Sequence, residues 1–165
     1  MVGVKSHAIT SITVNKGGDA PQLPGLITAT VAKGWTPIEI AADKGYLSNK
    51  NFEAIEAVGA VPLIPFKSNN KGLGPAAWRR AWGLFTYRRE EFLKRYHARS
   101  NVEAVFSSMK RKFGPAVRSR RYEAQVNEVL LKALCHNLSC VTHAMYEFGV
   151  EPTFWVQGPQ PETLQ

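Results

Sequence analysis

The first 66 residues of the chain alternate between two hydrophobic periods, and this alternation predicts strands and helices in turn. Apolar and β-branched residues at alternate positions predict a strand over residues 7–14. Short apolar runs predict two more strands, over residues 37–42 and 60–66. Apolar residues at helical spacing fill the two intervals, over residues 21–34 and 48–59.

The residues that follow are predicted to be mainly helical. One long helix is predicted over about residues 88–112, and it ends before Gly114. A last helix over residues 122–147 carries a wide apolar face. We expect residues 1–148 to form one domain and residues 149–165, which are rich in proline and glutamine, to form a loosely ordered tail.

The alternation of strands and helices predicts an α/β fold with a parallel or mixed sheet. Binding sites in such sheets form beyond the carboxyl ends of the strands. Asp43 follows the predicted strand 37–42, and it is one of only two aspartates in the chain. The other is Asp19, which precedes Pro21 and is predicted to cap the first helix. Asp43 is therefore the better candidate for chemistry.

The charge balance indicates the class of partner. The chain has 21 lysines and arginines against 13 acidic residues, which gives a formal net charge of +8. Such an excess favours a polyanionic partner, most often nucleic acid. No apolar run is long enough to span a bilayer, so we expect a cytoplasmic protein without membrane contact. Cys135 and Cys140 lack the second pair that a zinc site needs, and we expect them to be buried thiols.

Four polar side chains in the predicted helix 88–112 recur at helical spacing. They are Tyr96, Arg99, Glu103 and Lys110. On a continuous helix they would lie within about 60° of one another, on one stripe. The stripe is either a solvated face with one ion pair, worth a few tenths of a kcal/mol, or one wall of a site for an anionic ligand.

A second carboxylate gives the stripe a chemical role. If the helix packs against the strand end, Asp43 and Glu103 converge. Carboxylate oxygens are ligands that Mg²⁺ prefers, and paired divalent ions serve in-line displacement at phosphorus. Arginine and lysine beside them would hold the phosphates of the substrate.

The same four side chains, with residues 41–46, resemble a known family. Their spacing, Y-x2-R-x3-E-x6-K, is similar to the signature of bacterial insertion-sequence transposases of the DDE type. The block "AADKGY" resembles the one that carries the second catalytic aspartate of that family. The flanking stretches "KSHAITSITVN" and "NEVLLKALCHNLSCV" are also similar, so the resemblance runs from about residue 2 to about residue 148.

The resemblance implies an RNase H-like fold, which is a mixed sheet flanked by helices. It implies an enzyme that cleaves double-stranded DNA at the ends of an insertion sequence and joins it to a target, with Mg²⁺ or Mn²⁺ as cofactor. Asp43 and Glu103 would be catalytic metal ligands. Further residues would contact the DNA backbone. These are Tyr96, Arg99, Lys110, Arg111 and Lys112, the last three at the start of a basic run with six cations over residues 110–121.

Two tryptophans near this helix leave a further alternative open. Trp78 and Trp82 lie four residues apart and are interspersed with Arg79 and Arg80. The two indole rings either pack in the core of a helix or stack on unpaired bases of DNA.

One feature of the family is not matched. Its first catalytic aspartate lies on a strand that precedes the one predicted at residues 7–14, and this chain contains no counterpart. We therefore expect an amino-terminally truncated fragment of the catalytic domain, lacking the first strand. The alternative is an inactive DNA-binding remnant that interferes with, or complements, an intact transposase. Its partners would be DNA and itself or the full-length enzyme, in the bacterial cytoplasm and at the nucleoid.

Overall fold

The computed structural model describes residues 1–151, and most of the predicted tail lies outside them. The helices are α1 (Leu23–Val31), α2 (Asn49–Ala57), α3 (Ala76–Tyr87), α4 (Arg89–Tyr96), α5 (Ser100–Phe113) and α6 (Tyr122–Phe148). The strands are β1 (Glu39–Ala41) and β2 (Val61–Leu63), and three short 3-10 helices span Ala20–Gln22, Lys44–Tyr46 and His97–Arg99.

The sheet of the described residues consists of β1 and β2, which pair in parallel. Helix α2 connects the two strands, and the Ser48 hydroxyl caps it by accepting a hydrogen bond of 3.2 Å from the Asn51 amide. The buried Asn51 side chain donates to the carbonyls of Tyr46 and Ala20, at 2.7 and 3.1 Å. The prediction of a mixed α/β fold is confirmed, with a sheet that is smaller than expected. The RNase H-like topology remains a prediction.

The predicted strand over residues 7–14 is wrong. The segment forms one isolated antiparallel bridge, between Val2 and Ile9. The reason lies in α6, whose Asn137 side chain accepts from the Ile9 N–H at 2.8 Å and donates to the Ile9 carbonyl at 2.9 Å. A side-chain amide thus takes the two backbone groups that a neighbouring strand would otherwise pair with.

The predicted continuous helix over residues 88–112 is also wrong. A 3-10 helix at His97–Arg99, which is wound more tightly than an α-helix, separates α4 from α5. The Ser100 hydroxyl donates to the His97 carbonyl at 2.9 Å, and the Asn101 amide donates to the Ala98 carbonyl at 3.0 Å. Short polar side chains of this kind compete with the helical backbone pattern. Helix α5 therefore begins anew at Ser100, and the angles of an unbroken helix do not hold across the break.

Two hydrophobic clusters form the core. The larger one joins α1, β1, α2, β2 and α3 around Phe52 and Ile55, and the smaller one joins α5 and α6 around Val105 and Met109. The site residues lie in the region between them.

The tryptophan side chains belong to the larger cluster. Trp78 and Trp82 both present their edges to Phe66, with ring centroids 4.9 and 5.0 Å apart. The Trp78 indole N–H donates to the Lys71 carbonyl at 2.8 Å. Of the two alternatives, the structure supports packing in the core for both residues.

Two smaller predictions need correction. The Asp19 side chain makes no capping hydrogen bond within the described residues; only its backbone carbonyl accepts, from Gln22 at 3.0 Å. The prediction of two buried thiols is wrong, since Cys135 is exposed and Cys140 is half-buried. The buried residues of α6 are Ala133 and His136 instead. No helix within residues 1–151 is long and apolar enough to cross a membrane.

Candidate functional site

Asp43 lies directly beyond the carboxyl end of β1, as the sequence predicts. The backbone continues its pairing as far as Ala42, whose N–H donates to the Leu63 carbonyl at 3.2 Å. The Asp43 Oδ1 atom then accepts a hydrogen bond of 2.7 Å from the Gly45 N–H. A Cβ atom at residue 45 would stand 2.8 Å from that oxygen, so an alanine there would push the Asp43 carboxylate out of this hydrogen bond.

Glu103 lies in the first turn of α5 and is paired with Arg99. The Arg99 Nη2 atom is 2.7 Å from the Glu103 Oε1 atom, and the Glu103 side chain is 64% exposed. Desolvation lowers the pKa of Arg99, but the hydrogen bond that Arg99 donates to Glu103 and nearby negative charge, that of Asp43 included, raise it overall. The guanidinium therefore stays charged, with one carboxylate bound and a second one near.

The pKa of the Tyr96 phenol responds to the charges of both carboxylates. Partial burial raises the pKa of Tyr96, and the charge of Arg99 acts in the opposite direction. The negative charges of Asp43 and Glu103 add to the rise. The Arg99 guanidinium also lies 5.8 Å from the centroid of the Tyr96 ring. The structure thus gathers these four residues in one region, although the chain separates the two acids by sixty residues.

The three cations at the end of α5 face different directions. Lys110 follows Glu103 by seven residues, which places it on the same side of the helix and about 10 Å further along the axis. Arg111 and Lys112 lie about 80° and 180° around the helix axis from Glu103. Burial raises the pKa of Cys140, and the charge of Lys112 acts against that rise, so Lys112 lies toward α6. Only Lys110 continues the row of Arg99 and Glu103.

The donor set fits a hard divalent ion by chemistry, since Asp43 and Glu103 both offer carboxylate oxygens. Within residues 1–151, however, no group of three or more acidic, histidine or cysteine side chains is placed to hold a metal ion. Burial raises the pKa of Tyr46, and the charges of Asp19 and Asp43 raise it further, so Asp19 is also in this neighbourhood.

A groove of about 430 Å³ adjoins Asp43 and Arg99. Two residues that sequence reasoning missed, Glu39 and Arg95, also line it. The Arg95 Nε atom is 2.9 Å from the Glu39 Oε1 atom, and the ion pair ties α4 to β1. The signal for Arg95 in the sequence is Glu91, four residues before it, because glutamate–arginine pairs at this spacing lie together on a helix surface.

A second cavity, of about 680 Å³, lies on the other side of Tyr96. Its walls combine three cationic side chains with aromatic rings. Except for Trp82, sequence reasoning missed these residues, because they come from four separate segments of the chain. The cations are Lys44, Lys67 and Arg89, and the rings include Phe66, Trp82, Phe85 and Phe92. The Arg89 guanidinium lies 4.6 Å from the centroid of the Phe85 ring.

Comparison with known proteins identifies a family that the chain matches. Residues 4–138 match the family described as the transposase DDE domain. A protein of Archaeoglobus fulgidus, described as a probable transposase for insertion sequence element ISA1214, is 36% identical over 102 residues. The match covers 62% of this chain and 31% of that relative, so the chain spans about a third of its length. No solved structure matches the sequence.

Proposed function

The chain belongs to the transposase DDE domain family, and on that premise we propose that it acts in cutting DNA at the ends of an insertion sequence and joining it to a target. The observation that carries this proposal is that Asp43 and Arg99 line the same groove while Arg99 is paired with Glu103 at 2.7 Å. An ordinary surface ion pair would account for Arg99 and Glu103, but it would not bring the carboxylate at the end of β1 to the same place.

Asp43 and Glu103 are the residues proposed to hold Mg²⁺ or Mn²⁺. The bound ions would activate the attacking oxygen and stabilise the leaving oxygen of an in-line displacement at phosphorus. Two carboxylates leave coordination positions that water and the phosphate oxygens of the substrate would fill.

Arg99 has two tasks in this proposal. Its hydrogen bond to Glu103 orients the carboxylate, and its remaining N–H groups are available to phosphate oxygens. Lys110 would bind a phosphate further along the strand, and Arg111 and Lys112 would meet the backbone where it passes around α5. Tyr96 would position the phosphate next to the cut with its neutral hydroxyl, since its raised pKa keeps the phenol protonated.

The second cavity, beside Tyr96, would extend the phosphate track. Lys44, Lys67 and Arg89 line it and supply positive charge. Its aromatic rings are engaged in packing, since Trp82 stands perpendicular to Phe66 and Phe92 is buried.

Two measurements test the proposal. Iron(II) in place of the metal, with ascorbate and peroxide, cuts the polypeptide near its binding site, and we expect cuts close to residues 43 and 103. Nicking of DNA with Mn²⁺ should fall by more than about a hundredfold in Asp43→Asn and Glu103→Gln, because even residues that only support metal ligands cost 10–100-fold.

Glu147→Gln is the matched control, since Glu147 is an exposed glutamate on α6. Iron-dependent cuts distributed without relation to residues 43 and 103 would overturn the assignment of the metal ligands. DNA binding without metal-dependent nicking, combined with absent iron cuts, would favour the inactive DNA-binding remnant instead.

A further inference from the structure

The segment between α5 and α6, residues 114–121, carries positive charge that the proposed function does not use, and we call it the basic loop. Three of its residues are exposed arginines. They are Arg118, Arg120 and Arg121. None of the three forms an ion pair with an acidic side chain of residues 1–151. The exposed Lys16 joins them, because its ammonium group lies 4.3 Å from the centroid of the Tyr122 ring. Such a patch attracts polyanions.

The carboxylate of Glu128, on α6, holds the backbone of the basic loop. Its oxygens accept hydrogen bonds from the Arg118 N–H at 3.0 and 3.1 Å and from the Ser119 N–H at 3.0 Å. The Ser119 hydroxyl donates to the same carboxylate at 2.9 Å. The backbone bonds of Ser119 and Arg118 are the largest causes that lower the pKa of Glu128 to about 2, so the carboxylate is charged at neutral pH.

Two neighbours of Glu128 on α6 add to this attachment. The Lys132 ammonium group donates to the Ala116 carbonyl at 2.8 Å and lies 3.0 Å from the Glu128 Oε1 atom. The Gln125 side chain donates to the Ser119 carbonyl at 3.1 Å. Residues 125, 128 and 132 share one face of the helix, since they are three and four positions apart. None of these contacts uses a guanidinium group, so the three arginines of the loop remain available to a ligand.

Glu128 has two opposite effects on a polyanion bound at the basic loop. Its negative charge repels phosphate groups. Its hydrogen bonds, however, order the loop before any ligand arrives, and a surface that is already ordered loses less conformational entropy on binding. Three arginines held on one short loop offer several phosphate contacts, against one repelling charge that is already neutralised in part by Lys132. We therefore expect the ordering effect to be the larger one.

We propose that Glu128 is a positioning residue, which holds the basic loop in the form in which its three arginines together bind phosphates of a DNA backbone. A regular row of phosphates suits cations that are fixed relative to one another, and such contacts set the register of a protein on DNA. The inference rests on the proposed action on DNA but concerns only the binding step. Asp43 and Glu103 take no part in it.

The test is the sign of the change in DNA affinity when Glu128 is made neutral. Binding to a short fluorescein-labelled duplex is titrated at several salt concentrations. Charge alone would make any neutralised glutamate strengthen binding, and the control Glu123→Gln, at an exposed glutamate in the first turn of α6, should bind as tightly as the wild type or more tightly. Glu128→Gln should instead weaken binding about three- to tenfold and reduce the salt slope by about 1–2.

A comparison of double variants separates positioning from a general loss of structure. Arg120→Gln should weaken binding in the wild type and change it little in Glu128→Gln, because the loop is no longer held there. Lys110→Gln, on α5, should cost the same in both backgrounds. Ser119→Ala removes the hydroxyl bond of 2.9 Å without a change in charge, and it should weaken binding in the same direction by a smaller factor.

Two results would overturn the inference. Tighter binding by Glu128→Gln, as in Glu123→Gln, would show that the carboxylate acts on DNA only through its charge. An equal cost of Arg120→Gln in both backgrounds would show that Glu128 does not position that arginine. Metal-dependent nicking absent from the wild type, with the binding results as expected, would count against the proposed metal site and still support the role of Glu128.

Discussion

Arg99 binds Glu103 at 2.7 Å while its charge is also coupled to Asp43, which lies sixty residues earlier in the chain. Asp43 and Arg99 also line the same groove, so the guanidinium that binds the first turn of α5 shares a cavity with the end of β1. The predictions below test the contact first and its consequences afterwards.

Neutralising either acid should lower the pKa of the Tyr96 phenol. Asp43→Asn and Glu103→Gln each remove a negative charge that raises this pKa, whereas Arg99→Gln removes the charge that lowers it. The first two variants should therefore shift the titration of Tyr96 to lower pH, and the third should shift it to higher pH. Carbon NMR of labelled tyrosine resolves the single ring. An unchanged midpoint in Asp43→Asn would separate residue 43 from this site.

Removing one cation of the phosphate row should weaken DNA binding without sequence preference. Lys110→Gln should reduce the slope of log affinity against log salt by about 1, as expected when one phosphate contact is lost. Lys50→Gln carries the same change in net charge on the exposed surface of α2, and its slope should match the wild type. The measurement is a fluorescence titration at several salt concentrations. Equal slopes in both variants would remove Lys110 from the DNA track.

The loop before α6 should become sensitive to acid through Glu128. Backbone N–H groups of Ser119 and Arg118, with the charge of Lys132, lower the pKa of Glu128 from 4.5 to about 2. A lowered pKa stabilises the fold above the unfolded-state value and loses that effect as the pH falls. Glu128→Gln should thus melt at lower temperature at pH 7, and the difference from the wild type should shrink between pH 4.5 and about 2.

Glu123→Gln serves as the comparison for Glu128, because Glu123 is an exposed glutamate in the first turn of the same helix. Its melting temperature should follow the wild type throughout the acid range. A constant difference for Glu128→Gln at every pH would mean that the carboxylate charge is not the stabilising feature.

Two glycine substitutions should act in opposite directions on stability. Gly45→Ala places a methyl group 2.8 Å from the Asp43 Oδ1 atom and should cost about 1 kcal/mol through the lost hydrogen bond. Gly25→Ala lies in α1 with open space around it and should stabilise by about 0.5–1 kcal/mol. Urea unfolding of both variants provides the comparison. Equal effects would mean that the turn after β1 tolerates a side chain.

The sequence predicts those parts of the fold that local signals determine. Ser48 and Gly59 mark the ends of α2 correctly, and the apolar runs locate both strands of the sheet. The sequence does not predict the break at His97–Arg99. The break depends on hydrogen bonds from Ser100 and Asn101, and serine and asparagine side chains make such bonds only in some contexts. The spacing of hydrophobic residues predicts that a segment is helical. It gives little information on where a polar side chain interrupts the helix.

For the candidate site, the sequence predicts which residues take part better than it predicts which residues lie next to each other. Asp43 at a strand end follows from the order of the elements, but its closeness to Arg99 depends on how α4 and α5 pack against β1. The ion pair between Arg95 and Glu39 contributes to that packing, and its partners are 56 residues apart in the chain. No window of sequence contains such a pair, so the cavities and the residues that line them were found only in three dimensions.

The bond between Asn137 and Ile9 spans 128 residues, and this separation has a consequence during synthesis. A ribosome adds about 5–20 residues per second, so Ile9 leaves the peptidyl centre roughly 6–26 s before its partner is made. For that interval the backbone N–H and carbonyl of Ile9 are without the side-chain amide that pairs with both of them, and the synthesis of α6 supplies it.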